Sequence, residues 1–488
     1  MADRSRAGIE LNFSFGKGRK PKLDQRTDAA MRMLVLGDFG GHGSRAEVRP
    51  GAELRPQRVD LDSLPSLFAK IAPRIQIRLG DQPPVTVAIG ELEDFHPDHL
   101  FTSLEFFAPM RELRRQLQDP KTFAVAAAMV GSVALVPPAP TAGDMAAHGE
   151  DLQRLLGRPS TAEAPAVKPA SAVDAMIREA VAPHVVGRSD PRQADLVAAV
   201  DGMTGELMRT LLHDPGFQAV EAAWRGLDRL VRTLELDDSL QVHVLDLSRA
   251  ELAEDFAAAP SLTETALYGI VVDRVGDKPW SLLIDCNAYR RGQEDAALLA
   301  RLGTLAQQVD AAVVAGMDWA AYSAGFASLE DERAWTALRN STAATSIALA
   351  LPNILLRLPY GKGTEPTERF AFTEQASPPV SERYLWGSSA LAVAQLLAQS
   401  FTGAGGWDFA PGDESSIDDL PTHVTKQDGE SVQTPCAQAW LPESKIDALI
   451  KDGLMPMVSA QGRGEVRVPR FQSIALPPAA LAGRWRND

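Results

Sequence analysis

Cysteine is nearly absent from this 488-residue sequence, which contains only Cys286 and Cys436. Two cysteines that form no motif are too few for the disulfide framework of a secreted protein. We therefore expect both thiols to be reduced and the protein to be cytoplasmic. Long apolar runs are also missing: no uninterrupted stretch could span a bilayer, and the polar, basic start Met1–Lys22 lacks the apolar core of a signal peptide.

Positive charge is scarce relative to negative charge. The chain has 49 Lys and Arg against 64 Asp and Glu, and its net charge is -15. This balance argues against a nucleic-acid partner and against binding to an anionic membrane surface. A hydrophobic content of 45% with 23% charged residues is typical of globular proteins, and the length suffices for two or three domains.

Catalytic motifs are incomplete wherever they begin. Residues 38–40 read Asp-Phe-Gly after a strand pattern, as in kinases, but no His-Arg-Asp catalytic loop follows. Lys362 lies among glycines without the spacing of a phosphate-binding loop. His96 and His99 flank an aspartate at a predicted helix start, a pattern that is more typical of surface residues than of a metal site. We predict no catalytic residues, no bound metal and no cofactor.

Strict alternation marks one segment near the start of the chain. Ile9, Leu11, Phe13 and Phe15 alternate with polar residues, which predicts a β-strand, and a basic tether follows it. No neighbouring segment offers a pairing partner, so the backbone groups of this strand must bond elsewhere. Two possibilities remain open: the strand joins this chain's own sheet, or it is added to the sheet of a neighbouring molecule.

Alternating helix and strand patterns over the rest of the chain predict an α/β fold with mixed sheets. Strands are predicted at 31–37, 75–79, 85–89, 240–245, 268–272, 281–284 and 311–315, and helices at 61–70, 97–117, 207–212, 217–234, 296–308 and 388–401. A segment rich in Pro, Ala and Gly, 137–172, predicts a linker. The predicted organisation is a strand and tether at 1–28, α/β domains at 29–135 and 176–475, a linker at 136–175 and a tail at 476–488.

The predicted helix 217–234 is amphipathic. Its apolar stripe consists of Phe217, Val220, Trp224, Leu227, Val231 and Leu234. The opposite face carries Arg225 and the i, i+4 pair Asp228 and Arg232, and taken alone this pattern indicates a solvated helix face. Asp214 and Pro215 precede the helix as a predicted cap and first-turn proline.

Several segments, taken in chain order, resemble the large subunit of the type VI secretion contractile sheath. They are FQAVEAAWRGLDRL at 217–230, LPNILLRLPYGKGT at 351–364, YLWG at 384–387, LPTH at 420–423, GLMP at 453–456 and FQS at 471–473. The residues expected to have structural roles through this resemblance are Phe217, Trp224, Arg225, Gly226, Leu227, Trp335, Arg339, Leu351, Pro352, Arg357, Leu358, Pro359, Tyr360, Gly361, Lys362, Tyr384, Trp386, Gly387, Pro421 and Thr422. Upstream, KIAPR at 70–74 and LEDFHP at 92–97 resemble the small subunit of the same sheath.

The resemblance implies a structural, non-enzymatic protein that acts by protein–protein contacts and strand exchange. Its implied partners are other sheath subunits and copies of itself, together with the inner tube, the baseplate and the AAA+ ATPase that recycles spent sheaths. Large sheath subunits continue with a further domain after the position of Phe471–Ser473, whereas this sequence ends at Asp488. We therefore expect either a fused protomer completed by a separate partner or a sheath-like factor that caps or limits assembly.

Two alternatives from other classes remain. A non-assembling adaptor of the secretion apparatus would share the fold but would lack self-association. An α/β enzyme would use a cleft at the strand ends and would need convergent polar residues there.

Overall fold

The structure is a computed structural model that describes residues 29–78, 83–133, 190–276, 278–375 and 378–485. The predicted strand formed by Ile9, Leu11, Phe13 and Phe15 lies outside these residues, and so does the predicted linker 136–175. The helices are α1 (Leu64–Ile71), α2 (Pro97–Ser103), α3 (Ala108–Gln118), α4 (Phe123–Val133), α5 (Gln193–Leu212), α6 (Pro215–Thr233), α7 (Arg249–Ala258), α8 (Ala266–Tyr268), α9 (Gln293–Gln308), α10 (Trp319–Ala324), α11 (Leu329–Arg339), α12 (Ser389–Ala404) and α13 (Glu443–Lys451).

The strands are β1 (Met31–Gly37), β2 (Gln57–Val59), β3 (Arg74–Ile77), β4 (Val85–Ala88), β5 (Leu240–Asp246), β6 (Leu282–Tyr289), β7 (Ala312–Met317), β8 (Ile347–Leu351), β9 (Ile354–Leu355), β10 (Trp386–Gly387), β11 (Ser416–Ile417), β12 (Val424–Gln427), β13 (Glu430–Gln433), β14 (Met455–Pro456), β15 (Val458–Ser459) and β16 (Val466–Arg467). The predicted α/β class is confirmed. None of the helices in the described ranges combines the length and the apolar character needed to cross a membrane.

The chain forms two compact units. The first comprises the described parts of Met1–His96, Thr210–Glu365 and Glu374–Asp488, and the second comprises those of Pro97–Arg209 and Pro366–Thr373. Both units draw on segments from both sides of the predicted linker. The bounds 29–135 and 176–475 stay predictions about regions of the sequence. The two compact units divide the chain at other residues.

A seven-stranded sheet is the centre of the first unit, with the order β14-β8-β7-β6-β1-β5-β2. All neighbours are parallel except β2, which pairs antiparallel to β5. β1 lies between β5 and β6, so a strand from the N-terminal region is enclosed by strands from far along the chain. The sequence of β1, MRMLVLG, is almost entirely buried, as expected for a parallel strand covered on both faces.

The strands that pair with β1 come from the later part of the chain and not from its own region. The backbone of β1 has donors and acceptors along both edges, and these need partner strands once they are removed from water. The strands that supply them are β5 and β6, which pair with β1 from Met31 to Gly37 and from Met33 to Leu36 respectively.

Helices cover the sheet of the first unit on both faces. Leu34, Leu283 and Val313 share one hydrophobic core with Leu299 and Leu302 of α9. α12, whose buried residues lie outside that core, packs against β6, β7 and β8. Helices on both faces of a mostly parallel sheet are the arrangement that alternating strands and helices predict.

The predicted strand at 268–272 is wrong. These residues belong to α8 and to a π-helical turn, Gly269–Asp273. The run of Ile270, Val271 and Val272 favours a strand locally. A helix nevertheless begins just before this run, because side-chain oxygens accept hydrogen bonds from its first backbone N–H groups. Asp255 accepts hydrogen bonds from the backbone N–H groups of Ala266 and Leu267 at 2.8 and 3.0 Å.

The predicted helix at 97–117 is broken into α2 and α3. Leu104 has an extended backbone between them, with φ -79° and ψ 124°, and a 3-10 turn, Glu105–Phe107, leads into α3. Pro109 lies in the first turn of α3, where its missing N–H is tolerated. In a continuous helix Pro109 would lie in the interior, where it cannot donate to the carbonyl of Glu105 and its ring would clash with that carbonyl, so a new helix begins at the proline.

The second unit has a small core of its own. Leu117, Phe123, Ala126, Val130 and Val200 form this core. Arg114 Nε donates to Asp201 at 2.8 Å, and the other carboxylate oxygen of Asp201 accepts from the backbone N–H of Ala371 at 3.1 Å.

Candidate functional site

α6 begins where the sequence predicts. Asp214 Oδ1 accepts hydrogen bonds from the backbone N–H groups of Gly216 and Phe217 at 2.9 and 3.0 Å, and Pro215 occupies the first turn. This cap satisfies two of the four N–H groups that a helix start leaves without intrahelical partners. The cap sets the start of the helix and therefore the direction of its apolar stripe.

The apolar stripe of α6 packs against aromatic residues of the N-terminal region. The Trp224 ring lies 5.2 Å from the Phe39 ring and 4.1 Å from the Phe68 ring, and the Phe217 ring lies 5.5 Å from the Phe95 ring. Trp224 Nε1 donates to the carbonyl oxygen of Phe39 at 2.9 Å, so the buried indole N–H is satisfied. The small-subunit-like and large-subunit-like regions thus share one aromatic core in the first unit.

The polar side of α6 is only partly solvated, because Glu221 is fully buried. Glu221 Oε1 accepts hydrogen bonds from Arg225 Nε and from Arg357 Nε, both at 2.8 Å. Arg357 also donates to Glu374 through Nη1 at 2.7 Å and through Nη2 at 3.2 Å. Buried charges are tolerated when they are paired and hydrogen-bonded in this way.

Tyr360 and Glu374 complete this buried cluster. Two hydrogen bonds join these residues. The Tyr360 N–H donates to Glu374 Oε2 at 2.8 Å, and the Glu374 N–H donates to the Tyr360 carbonyl oxygen at 2.8 Å. Arg225 Nη2 donates to the Tyr360 hydroxyl at 3.1 Å, and the Arg357 guanidinium lies 4.1 Å from the Tyr360 ring centroid. We call Glu221, Arg225, Arg357, Tyr360 and Glu374 the buried ion cluster.

The protonation states in the buried ion cluster follow from its charges. Burial acts to raise the pKa of Glu374, but the charge of Arg357 and the hydrogen bonds from His213, Arg357 and the Tyr360 N–H together outweigh it and hold the pKa at about 2. Burial acts to lower the pKa of Arg357, and Glu221 and Glu374 together raise it well above its usual value. Burial raises the pKa of the Tyr360 hydroxyl. Glu374, Arg357 and Tyr360 therefore do not titrate near neutral pH, which suits a fixed structural cluster better than acid–base catalysis.

A second charged cluster lies at the carboxyl ends of β1 and β5, where α/β enzymes bind ligands. Asp246 Oδ1 accepts from the Gly40 N–H at 2.8 Å, and Asp246 Oδ2 lies 3.0 Å from His42 Nε2 and 2.8 Å from Arg49 Nη1. Arg49 Nε also donates to Glu251 at 2.7 Å. Each of these side chains bonds within the chain, so the cluster holds the segment after β1 onto β5 and α7.

The motif residues of the C-terminal half lie in two further places. Trp335 is buried in α11, and Arg339 Nε donates to the carbonyl oxygen of Ile474 at 2.9 Å. The Tyr384 hydroxyl lies 2.5 Å from His423 Nδ1 and 3.1 Å from Thr434 Oγ1. These contacts fasten the segments that carry FQS and LPTH to the first unit.

The remaining motif residues are mostly packing positions. A Cβ on Gly226 would come within 2.6 Å of Leu391 Cδ1, and one on Gly387 within 2.6 Å of Leu356, so both glycines permit close approach of neighbouring elements. Leu227, Leu351, Pro352, Pro359 and Gly361 are buried, Leu358, Trp386, Pro421 and Thr422 are partly buried, and Lys362 is exposed.

The structure brings together Phe217, Trp224, Arg225, Arg357 and Tyr360 around α6, and it places Trp335, Arg339 and Tyr384 elsewhere in the first unit. Sequence reasoning missed Glu221 and Glu374. Glu221 carried a signal, because it lies four residues after Phe217 and three before Trp224, on the buried side of the helix. The sequence around Glu374 gave no such signal, since the partners of Glu374 are distant in the sequence.

The sequence matches family models of one class of proteins, the contractile tail sheath proteins. The chain belongs to the family described as EvpB/VC_A0108, tail sheath N-terminal domain (VipB), whose family model matches residues 194–474. A second family model, described as type VI secretion system, VipA, VC_A0107 or Hcp2, matches residues 9–127. The predicted resemblance to both sheath subunits is confirmed.

One curated relative is similar over much of the chain. The type VI secretion system sheath protein TssC1 of Pseudomonas aeruginosa is 28% identical over 304 residues, which cover 58% of this chain and 61% of the relative. The chain therefore spans less than two thirds of the length of this relative.

Proposed function

We propose that this chain is a structural subunit of the type VI secretion contractile sheath, and that its small-subunit-like and large-subunit-like regions form one protomer. The single observation that supports this most is the position of β1, which pairs with β5 on one edge and β6 on the other. A strand enclosed in this way belongs to the same folding unit as its neighbours. The Trp224 contacts with Phe39 and Phe68 join the two regions a second time.

We infer that the protein acts through protein contacts and not through catalysis. Its immediate partners are other sheath subunits and copies of itself, and the segment 9–15 supplies the strand for exchange between protomers. The inner tube, the baseplate and the AAA+ recycling ATPase are the further partners that the family resemblance implies. The place of action is the cytoplasm.

Electron microscopy of negatively stained protein tests the proposal. The purified full chain is imaged alone and together with the products of its genomic neighbours. Tubes or rings that contain this chain are the expected result. Discrete monomers or dimers in every mixture would contradict the sheath role and favour a non-assembling adaptor.

The position of the protein in cells separates a lattice subunit from a factor acting at the sheath end. A fluorescent fusion at the C-terminus is imaged in secreting cells next to a labelled sheath. Signal along the whole sheath, in proportion to its length, is expected for a protomer. Signal at one end only would indicate a capping or limiting factor, and diffuse signal would overturn both.

A further inference from the structure

A cavity of about 390 Å³ lies in the first unit beside β5 and the π-helical turn, apart from both charged clusters. Its ionisable lining consists of Arg32, Arg55, His243, Arg274 and Lys278, arranged beside Trp280. Of the described residues that line it, none is acidic. We call it the cationic cavity.

Two side chains that line the cationic cavity each have a buried polar atom without a hydrogen-bond partner in the described part of the chain. They are Arg32 Nε and His243 Nδ1. His243 is 9% exposed, and its ring meets the Trp280 ring edge to face at 4.9 Å. A buried polar group without a partner is costly and therefore requires an explanation. A ligand with oxygen acceptors would supply the missing hydrogen-bond partners.

The other cations at the mouth of the cavity also have no acidic partner. Arg55, Arg274 and Lys278 are exposed, and no carboxylate of the described residues forms an ion pair with them. The nearby Asp238 is paired with Arg58 at 3.2 Å. In a chain with 64 acidic and 49 basic residues, four cations that converge without a carboxylate form a local positive field that attracts anions.

Neighbouring elements hold the inner wall of the cavity in place. Trp280 Nε1 donates to the carbonyl oxygen of Ile270 at 3.2 Å, and the Arg32 guanidinium lies 4.1 Å from the Trp280 ring centroid. Arg32 also donates to the carbonyl oxygen of Lys278. Ile270 belongs to the π-helical turn, a feature that is frequent at functional sites.

We propose that the cationic cavity binds a polyvalent phosphate anion, such as a free polyphosphate or the phosphate chain of a nucleotide. Arginine guanidinium groups match phosphate oxygens in geometry and charge. Arg32 Nε donates to the bound anion, and His243 Nδ1 bonds to it when it carries the proton. The volume falls in the range of about 300–1,000 Å³ that small-molecule sites have, so it accommodates more than one phosphate group.

Isothermal titration calorimetry of the full chain with sodium tripolyphosphate tests the proposal. The test variant is Arg274→Gln/Lys278→Gln, which removes two exposed cations from the mouth of the cavity. The control variant is Arg333→Gln/Lys451→Gln, which removes two exposed cations elsewhere and changes the net charge equally. We expect saturable binding by the wild type and the control, and a loss of about tenfold in affinity for each cation removed from the cavity.

A third variant, His243→Phe, tests the inner wall while keeping an aromatic ring against Trp280. We expect it to weaken tripolyphosphate binding and to leave the far-ultraviolet circular dichroism unchanged. ATP and tripolyphosphate are then compared: equal affinities indicate that free polyphosphate chemistry suffices, and tighter ATP binding indicates contacts with the nucleoside. The proposal would be overturned if neither anion bound the wild type saturably. An equal loss of affinity in the Arg333→Gln/Lys451→Gln control would also overturn it.

Discussion

Trp224 and Phe39 join the two halves of the sequence in one contact: the indole N–H donates to the Phe39 carbonyl at 2.9 Å, and the rings meet edge to face at 5.2 Å. The residues are 185 positions apart. Phe39 directly follows β1, whose two neighbours also come from the later part of the chain. The contact and the sheet therefore place Phe39 and β1, which belong to the small-subunit-like region, in the same unit as α6.

Replacement of Trp224 by Ala should lower the free energy of unfolding by about 3–5 kcal/mol, because it removes a fully buried ring and leaves a cavity. Urea denaturation followed by circular dichroism measures this change. Trp440→Ala is the matched control, since Trp440 is 40% exposed, and it should change the free energy by no more than about 0.5 kcal/mol. Equal effects of the two substitutions would show that Trp224 is not part of a shared core.

Replacement of Arg357 by Met should destabilise the fold by about 3–5 kcal/mol, because the buried Glu374 would lose its arginine partner and Glu221 would keep only Arg225. The same denaturation experiment measures the loss, with exposed Arg333→Met as the control. Adding Glu374→Gln to the Arg357→Met variant should recover part of the stability, since the buried charge without an arginine partner is then removed. If this double variant is less stable than Arg357→Met alone, the charge left on Glu374 is not the cause.

His42 should make stability depend on pH near neutrality. Burial acts to lower its pKa, but the hydrogen bond and charge of Asp246 outweigh burial and raise it. A raised pKa in the folded state contributes stability that is present below the unfolded value and is lost as the pH rises through the folded value. Arg49 and Glu251 also face this ring and act in opposite directions.

The His42→Gln variant tests this dependence. The difference in unfolding free energy between wild type and variant should be larger at about pH 6 than at about pH 8. Denaturation at a series of pH values measures it, with His99→Gln, an exposed histidine, as the control. A difference that stays constant with pH would show that the contact with Asp246 does not favour the protonated ring.

Replacement of Leu11 and Phe13 by Asp tests the proposed strand exchange. We expect the double variant to keep the unfolding transition of the wild type and to lose higher-order assembly, because an intermolecular strand would lose its apolar face. Sedimentation and negative-stain microscopy measure assembly. Exposed Leu329→Asp with Val380→Asp is the control. A loss of monomer solubility would instead show that the strand belongs to this chain's own core.

The sequence by itself determined the local elements. The spacing of Phe217, Trp224 and Leu227, together with the Asp214 cap, predicted α6, and the apolar run at 31–37 predicted a buried strand. Such patterns depend on residues within a few turns of one another, so they can be detected without knowledge of the fold. The order of motifs along the chain also indicated the sheath family, which the family matches confirm.

Only the tertiary structure decided which distant residues meet. β1 could have paired within its own region, and its position between β5 and β6 depends on two strands from much later in the chain. Arg357 contacts Glu221 from 136 residues away, and the strand pattern at 268–272 gave way to helical turns capped by Asp255. The cationic cavity likewise gathers residues from β1, β5 and the segment after the π-helical turn. Long-range pairing leaves no periodic mark on a single sequence, because it depends on how the separate elements pack.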